Sequence, residues 1–122
     1  MNLRENVLGK EEDWQEKAVG CQYHDIKKGE LLLGFAAFLI EKRCILLKQL
    51  VVHCGYRGQG IGTDLVKYVE SRGRNTGKLF VEIVVSEESK GLGWLKDRGY
   101  FAQGLILGAF GTRDGVRFRK ML

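Results

Sequence analysis

Residues 51–62 read VVHCGYRGQGIG, and this is the most informative stretch of the sequence. The apolar residues before His53 predict a buried strand, and the apolar spacing from Ile61 to Leu65 predicts a helix directly after the glycines. A helix N-terminus presents N–H groups and the positive end of its dipole, and glycines let an anion approach the backbone closely. We therefore interpret the stretch as a strand, an anion-binding loop and a helix start, with Arg57 adding positive charge.

Other motifs that bind phosphate share this arrangement but differ in spacing. The dinucleotide fingerprint requires G-x-G-x-x-G within a parallel βαβαβ array, whereas Gly58, Gly60 and Gly62 are spaced G-x-G-x-G. A Walker loop requires Gly-Lys-Ser/Thr, a tripeptide that the sequence does not contain. The remaining alternative is a tight turn that only caps the helix, although Arg57 and three alternating glycines exceed what a turn requires.

The apolar pattern on both sides of the loop predicts three strands, a helix, a strand, a helix and two strands. The predicted strands cover residues 21–26, 31–40, 44–53, 79–85, 105–110 and 116–122. Short turns join the first three, which predicts an antiparallel meander. Ser86 is predicted to cap the second helix, which ends at Gly99, and the first twenty residues are interpreted as a further short helix. The order β-β-β-α-β-α-β-β describes a mixed sheet with helices packed on it, an α+β fold bordering on α/β.

Length and hydropathy predict one domain that does not enter a membrane. The chain has 122 residues, which suits a single domain with its own core. Its longest apolar run, Leu31–Ile40, has ten residues, whereas a membrane-spanning helix needs about 20. The acidic N-terminus, with Glu11, Glu12 and Asp13, does not resemble a signal peptide. We therefore expect a cytoplasmic protein without membrane contact.

Charge and cysteine content narrow the choice of ligand. Residues 1–30 carry 5 basic and 7 acidic side chains, and residues 31–122 carry 15 and 8, so the larger part has a charge of +7. This charge favours an anionic ligand or a nucleic acid. Nucleic acid is the weaker alternative, because an anionic cofactor explains much of the charge and basic residues do not alternate with aromatic ones.

The three cysteines lack CxxC spacing, so we expect reduced thiols and no metal site.

The glycine loop resembles the signature of a known family. Residues 57–62 match the pattern Arg/Gln-x-x-Gly-x-Gly/Ala of the GCN5-related N-acetyltransferase (GNAT) superfamily. The similarity extends over residues 30–110, from the strand before the loop to the Gly-aromatic step at Gly99 and Tyr100. It implies the acyl-CoA N-acyltransferase fold and a single acetyl-CoA-dependent N-acetyltransferase domain over residues 1–122.

The N-terminal region departs from the family pattern. Family members usually have another strand and two helices before the meander, whereas about twenty residues precede the first predicted strand here. The chain therefore resembles a short member with a truncated N-terminal region. Its acceptor groove would be open, completed by a second subunit, or adapted to a large substrate, and a homodimer is the expectation.

The resemblance also implies where acetyl-CoA binds. The backbone amides of the loop would hold the pyrophosphate, and the pantetheine arm would pair with the strand before the loop. A backbone N–H near the end of that strand would stabilise the tetrahedral intermediate. The cofactor-binding residues implied in this way are Leu50, Val51, Val52, Arg57, Gly58, Gln59, Gly60, Ile61, Gly62 and Thr63.

Glu82 is the candidate catalytic base. Residues 81–86 read VEIVVS and resemble the Leu-Glu-Val strand that carries the base in ribosomal-protein N-terminal acetyltransferases of this superfamily. A carboxylate in an otherwise apolar strand suits a general base unless it is paired. The alternative is that Glu82 faces solvent or forms an ion pair. The tyrosine that often protonates the leaving thiolate maps to Leu95.

Two functions from different classes follow from these residues. The favoured one is an acetyl-CoA-dependent N-acetyltransferase that moves an acetyl group to a primary amine by direct attack. An open groove slightly favours a protein or peptide amine over a small amine. The alternative is a non-catalytic acyl-CoA-binding module, because the tyrosine position holds Leu95.

Overall fold

The computed structural model describes residues 20–87 and 91–122. The strands are β1 Gln22–Lys28, β2 Leu31–Ile40, β3 Cys44–Val52, β4 Phe80–Ser86, β5 Phe101–Phe110 and β6 Arg113–Met121. They form a six-stranded sheet in the order β1-β2-β3-β4-β6-β5. The helices of this described part are α1 Ile61–Asn75 and α2 Gly91–Asp97. The predicted α+β fold and its element order are therefore confirmed, while the short helix predicted in the first twenty residues lies outside the described residues.

The described chain divides into two compact units. The first comprises residues 20–39 and 47–72, and the second comprises residues 40–46 and 73–122. In the first unit β1 pairs antiparallel with β2, as predicted. Leu32–Phe38 of β2 are all buried, and α1 buries an apolar face at helical spacing. The buried residues of α1 in this face are Ile61, Leu65, Val66 and Val69.

Gly34 of β2 lies where the first residues of α1 pack closely against the strands. A Cβ atom at this position would be 2.7 Å from the Val51 carbonyl oxygen and 3.0 Å from Ile61 Cγ2. Real Cβ atoms do not approach a backbone oxygen so closely, so only glycine fits here without a shift. This close packing holds the first turn of α1, and with it the glycine loop, against β2 and β3.

The second unit places apolar and charged residues on opposite faces of its strands. β6 pairs antiparallel with both β4 and β5. Val81, Ile83 and Phe118 are buried. Because alternate residues of a strand point to opposite faces, Glu82 and its cross-strand neighbour Arg119 share the other face.

The largest differences from the sequence prediction concern Ser86 and the starts of β5 and β6. Ser86 does not cap α2, because it is the last residue of β4 and pairs with Gly115. β5 begins at Phe101 rather than at residue 105, because the chain bulges at Gly104 and pairing with β6 continues beyond it. β6 begins at Arg113 rather than at residue 116, since Gly111, with a φ of 72°, completes a shorter turn. No helix within residues 20–87 and 91–122 has the length and apolar character needed to cross a bilayer.

Candidate functional site

The glycine loop begins with a short turn that His53 stabilises. Residues Cys54–Tyr56 form a single 3-10 turn directly after β3. Gly55 N–H donates a hydrogen bond to His53 Nδ1 at 2.9 Å, and Tyr56 N–H donates to the His53 carbonyl, also at 2.9 Å. The His53 and Tyr56 rings meet edge to face, with centroids 5.4 Å apart. His53 therefore fixes the direction in which the chain leaves β3.

Two glycines of the loop have backbone conformations that other residues rarely adopt. Gly58 has a φ of +79° and Gly60 a φ of +84°. No described atom lies within 4 Å of a Cβ built on either residue. Because these two residues have no side chain, the backbone can adopt a positive φ at each of them. The lack of side chains also leaves open space above the loop, which a bound anion can occupy.

The first turn of α1 directs its amides toward this space. The first hydrogen bond of the helix ladder joins Asp64 N–H to the Gly60 carbonyl at 2.9 Å. The amides of Ile61, Gly62 and Thr63 precede that bond, so they point out of the N-terminal end of the helix. Since α1 is 15 residues long, its dipole adds positive potential at the same end. The arrangement suits the binding of an anion, and the predicted binding of a pyrophosphate here stays a prediction.

At the end of β3, the backbone N–H and C=O groups of Leu50 and Val52 point to the side of the strand away from β2. Successive residues of a strand direct their N–H and C=O groups to opposite sides. His53 N–H donates to the Leu33 carbonyl of β2 at 2.7 Å, so the backbone groups of Val52 and Leu50 are directed away from β2. In agreement, Arg57 Nε donates to the Val52 carbonyl at 3.3 Å. Leu50 and Val52 therefore carry N–H groups on the side of β3 opposite β2, where β4 follows in the sheet order, and pairing with an added extended chain on this side stays a prediction.

The first unit thus brings together every residue predicted to bind the cofactor. Gly58, Gln59 and Gly60 are exposed, whereas the side chains of Val51 and Ile61 are buried and support the loop from below. Gly62 and Thr63 lie in the first turn of α1. Arg57 departs from expectation, because its guanidinium group turns back onto the strand instead of extending from the loop.

The candidate base, Glu82, is ion-paired within the second unit. Its Oε1 accepts a hydrogen bond from Arg119 Nε at 2.8 Å and lies 3.6 Å from Arg117 Nε. The side chain of Glu82 is 16% exposed. The ion-pair alternative left open by the sequence is therefore present, and Oε2 is the oxygen on which an amine proton would be taken up. Its role as catalytic base stays a prediction.

The thiol nearest to this carboxylate is a poor nucleophile. Burial raises the pKa of Cys44, the charges of Glu82 and Glu41 raise it further, and nearby cations lower it less. Burial likewise raises the pKa of Cys21. Both thiols therefore stay protonated near neutral pH, which disfavours a covalent acyl-cysteine. All three cysteines are free, and Cys54 is exposed in the loop.

The described residues contain no group of three His, Cys, Asp or Glu side chains suited to a metal ion, and the absence of a metal site remains a prediction.

Sequence reasoning missed the two arginines around Glu82. The sequence left open that Glu82 forms an ion pair but did not identify Arg117 and Arg119 as its partners. The signal that identifies them is their spacing, because alternate residues of a strand share one face. That they face Glu82 depends on the register between β4 and β6, which joins residues 37 positions apart.

Comparison with known proteins identifies a matching family and solved structures with a similar fold. The model of the Acetyltransferase (GNAT) family matches residues 3–100, whereas no curated protein sequence matches the chain. Similar solved structures include an IAA acetyltransferase from Bacillus cereus, with a TM-score of 0.85, 17% identity and coverage of 98% of this chain and 90% of that one. A GNAT family acetyltransferase from Elizabethkingia anophelis with acetyl-CoA bound has a TM-score of 0.84 and 17% identity, covering 98% and 88%. The ribosomal-protein-S18-alanine N-acetyltransferase from Escherichia coli has a TM-score of 0.83 and 12% identity, covering 98% and 83%.

Proposed function

The chain belongs to the acetyltransferase (GNAT) family, and on that premise we propose that it moves an acetyl group from acetyl-CoA to a primary amine by direct attack. The observation that carries the proposal is the loop of the first unit. There, two glycines with positive φ and the first turn of α1 surround open space for a pyrophosphate. We further propose that residues 1–122 act as one N-acetyltransferase domain.

Acetyl-CoA is the proposed acyl donor. The E. anophelis structure with bound acetyl-CoA, which has a similar fold, supports this choice. The amides of residues 58–63 would hold the pyrophosphate, and the pantetheine arm would pair with the outward backbone groups of Leu50 and Val52. The Val52 N–H would then donate to the thioester carbonyl, where negative charge develops as the amine attacks.

Direct transfer to the amine agrees with the chemistry of the second unit. A covalent acyl intermediate on Cys44 is disfavoured because its thiol is protonated. Glu82 would accept the amine proton through Oε2 or through a water. Leu95, at the position of the usual tyrosine, is buried and apolar, so thiolate departure would proceed without a side-chain acid. A thiolate is stable enough near neutral pH that this step does not require one.

Thermal stability with and without ligand tests the acyl donor. At a hundredfold excess over Kd, a ligand bound only by the folded protein contributes about 2.7 kcal/mol to the free energy of unfolding. We expect saturating acetyl-CoA to raise Tm by several degrees. An adenine nucleotide that lacks the pantetheine arm serves as the matched ligand and should raise Tm less. No shift with either ligand would contradict the proposal.

Replacing Glu82 with Gln tests the proposed base. We expect kcat to fall about 100-fold, because the amine loses its proton acceptor, while KM for acetyl-CoA stays unchanged. The deficit should narrow at high pH, where more of the amine is already unprotonated. Glu41→Gln removes an exposed carboxylate of the same unit and is the matched control. An unchanged kcat in Glu82→Gln would contradict the role of Glu82 as base. Only slow release of CoA from acetyl-CoA in the wild type, unaffected by Glu82→Gln, would favour the alternative function, an acyl-CoA-binding module without catalysis, which the ion pairing of Glu82 also supports.

We also propose a homodimer that pairs through the β5 edge. β5 is the last strand in the sheet order, and it exposes Leu105 at 62%, Leu107 at 81% and Phe110 at 47%. An edge strand with exposed apolar side chains and unpaired backbone groups favours pairing with another strand. Sedimentation at micromolar concentration should therefore give a dimer, and Leu107→Lys should give a monomer. A monomeric wild-type protein would overturn this part of the proposal.

Two further parts of the proposal concern the class of the acceptor amine and the location of the protein in the cell. A protein or peptide amine is slightly favoured over a small amine, and the similar fold of the S18-alanine N-acetyltransferase supports a peptide acceptor. A cytoplasmic location is supported by the three free cysteines, because thiols persist in a reducing compartment.

A further inference from the structure

Three charged side chains lie together on one face of β4 and β6. Glu82 is opposite Arg119 in the antiparallel register, and Arg117 lies two residues before Arg119 on the same face. Arg119 Nε and Arg117 Nε are 2.8 and 3.6 Å from the same oxygen, Glu82 Oε1. Two guanidinium groups thus share one carboxylate, and the three side chains together carry one net positive charge.

Arg117 is the less satisfied of the two arginines. Its Nε is buried and makes no hydrogen bond within the described part of the chain. The side chain as a whole is 40% exposed, so its outer end is accessible from solvent. A buried N–H without an acceptor is unfavourable. A carboxylate that arrives from solvent fits this accessible outer end best, because its two oxygens can accept from the two Nη groups of a guanidinium together.

We propose that the acceptor amine carries a carboxylate close to its amino group and that Arg117 binds this carboxylate. The inference rests on the proposed N-acetyltransferase function and names its substrate class. A free α-amino acid and a peptide with an acidic N-terminal residue both present this chemistry.

The spacing within the cluster suits such an acceptor. In an α-amino acid the amine nitrogen lies about 2.5 Å from the carboxyl carbon, and Arg117 Nε lies 3.6 Å from Glu82 Oε1. One molecule can therefore place its carboxylate on Arg117 and its amine beside Glu82. Arg119 donates to Glu82, and its guanidinium carbon lies 4.4 Å from the centre of the Phe80 ring, so it orients the carboxylate of Glu82.

The step remains a simple acyl transfer with this acceptor. The neutral amine attacks the thioester carbon, the C–N bond forms and the C–S bond breaks. The amine proton passes to Glu82 or to water, and the sulfur leaves as the thiolate of CoA. No oxidant, reductant or further co-reactant enters.

Matched acceptor pairs test the proposal in two arms. The first arm compares L-phenylalanine and L-leucine with their decarboxylated amines. The second compares the tripeptide amides Asp-Ala-Ala and Asn-Ala-Ala, which differ by one carboxylate. In at least one arm, kcat/KM for the carboxylate-bearing acceptor should be greater by at least about tenfold. The arm that responds identifies the source of the carboxylate.

Variants of the cluster then assign the preference to Arg117. In Arg117→Leu, the ratio of kcat/KM between the carboxylate-bearing acceptor and its matched acceptor should fall to about one, mainly through a higher KM for the carboxylate-bearing acceptor. Arg117→Lys should keep part of the preference, because it keeps the charge without the planar fork. Arg43→Leu removes an exposed arginine of the same unit and should keep all of it.

The failure of this inference differs from the failure of the proposed function. Stabilisation by acetyl-CoA reports that each variant is folded and binds its donor. If acetyl-CoA stabilises the protein but neither arm shows a carboxylate preference, the inference is wrong and the proposed function stands. A preference that persists in Arg117→Leu also overturns it. If acetyl-CoA does not stabilise the wild type, the proposed function itself fails.

Discussion

Replacing Gly60 with Asp should abolish the stabilisation by acetyl-CoA. The change puts a negative side chain into the open space above the loop, at the positive end of α1, where the pyrophosphate is proposed to bind. We expect affinity to fall at least about 100-fold, which reduces a stabilisation of about 2.7 kcal/mol to about 0.4 kcal/mol at the same ligand concentration. The measurement is the Tm of the variant with and without acetyl-CoA.

The fold should survive this substitution. Gly60 has a φ of +84°, a conformation that aspartate tolerates better than most residues. Gly60 also supplies the carbonyl of the first helix bond, a position at which aspartate favours helix formation. Gly77→Asp is the matched control, because Gly77 also has a positive φ and open space around it but lies beyond the other end of α1. Equal acetyl-CoA affinity in both variants would refute the loop assignment.

Replacing Gly34 with Ala should have the largest effect on folding. The added Cβ would lie 2.7 Å from the Val51 carbonyl oxygen and 3.0 Å from Ile61 Cγ2. Either the strands separate or the first turn of α1 moves outward, and such overpacking costs about 1–3 kcal/mol. For a chain of this size, a loss of 2 kcal/mol lowers Tm by roughly 8 °C. Because the same turn carries the glycine loop, acetyl-CoA affinity should fall as well.

Gly93→Ala, in contrast, should leave the stability of the protein unchanged or raise it. Gly93 lies within α2, and no described atom comes within 4 Å of a Cβ built there. Alanine favours a helix over glycine by up to about 1 kcal/mol, so this variant should be as stable as the wild type or more so. Thermal unfolding of the two variants separates the effects. A Gly34→Ala protein as stable as Gly93→Ala would contradict the close packing at β2.

Local sequence patterns predicted the elements around the loop well. The limits of β2 at Leu31 and Ile40 and the start of α1 at Ile61 agree with the structure. These elements have unambiguous signals, namely an uninterrupted apolar run and a change from glycines to helical spacing. Ser86 was misassigned because its local signal favours a cap, whereas pairing with Gly115 extends the strand. Local propensity cannot report a partner that lies far along the chain.

The same distinction applies to the site. Loop residues that act through their backbone could be predicted, because glycine spacing reports φ and the lack of side chains directly. The environment of Glu82 could not, because it depends on which residue of β6 lies opposite in the register. A shift of one residue would turn Arg117 and Arg119 to the other face. The sequence alone therefore allowed Glu82 to be predicted as a candidate base. Its partners could be identified only from the pairing of β4 with β6.

The close contact at Gly34 also constrains how this sequence can evolve. Most crowded positions accept a larger residue once a neighbouring side chain has become smaller, which is the usual form of epistasis in a core. Trimming Ile61 would relieve only one of the contacts at position 34, because the nearest atom is the carbonyl oxygen of Val51. A backbone oxygen is present whichever residue occupies that position. No substitution of a neighbouring side chain can therefore fully compensate a larger residue at position 34, which would require the backbone itself to shift.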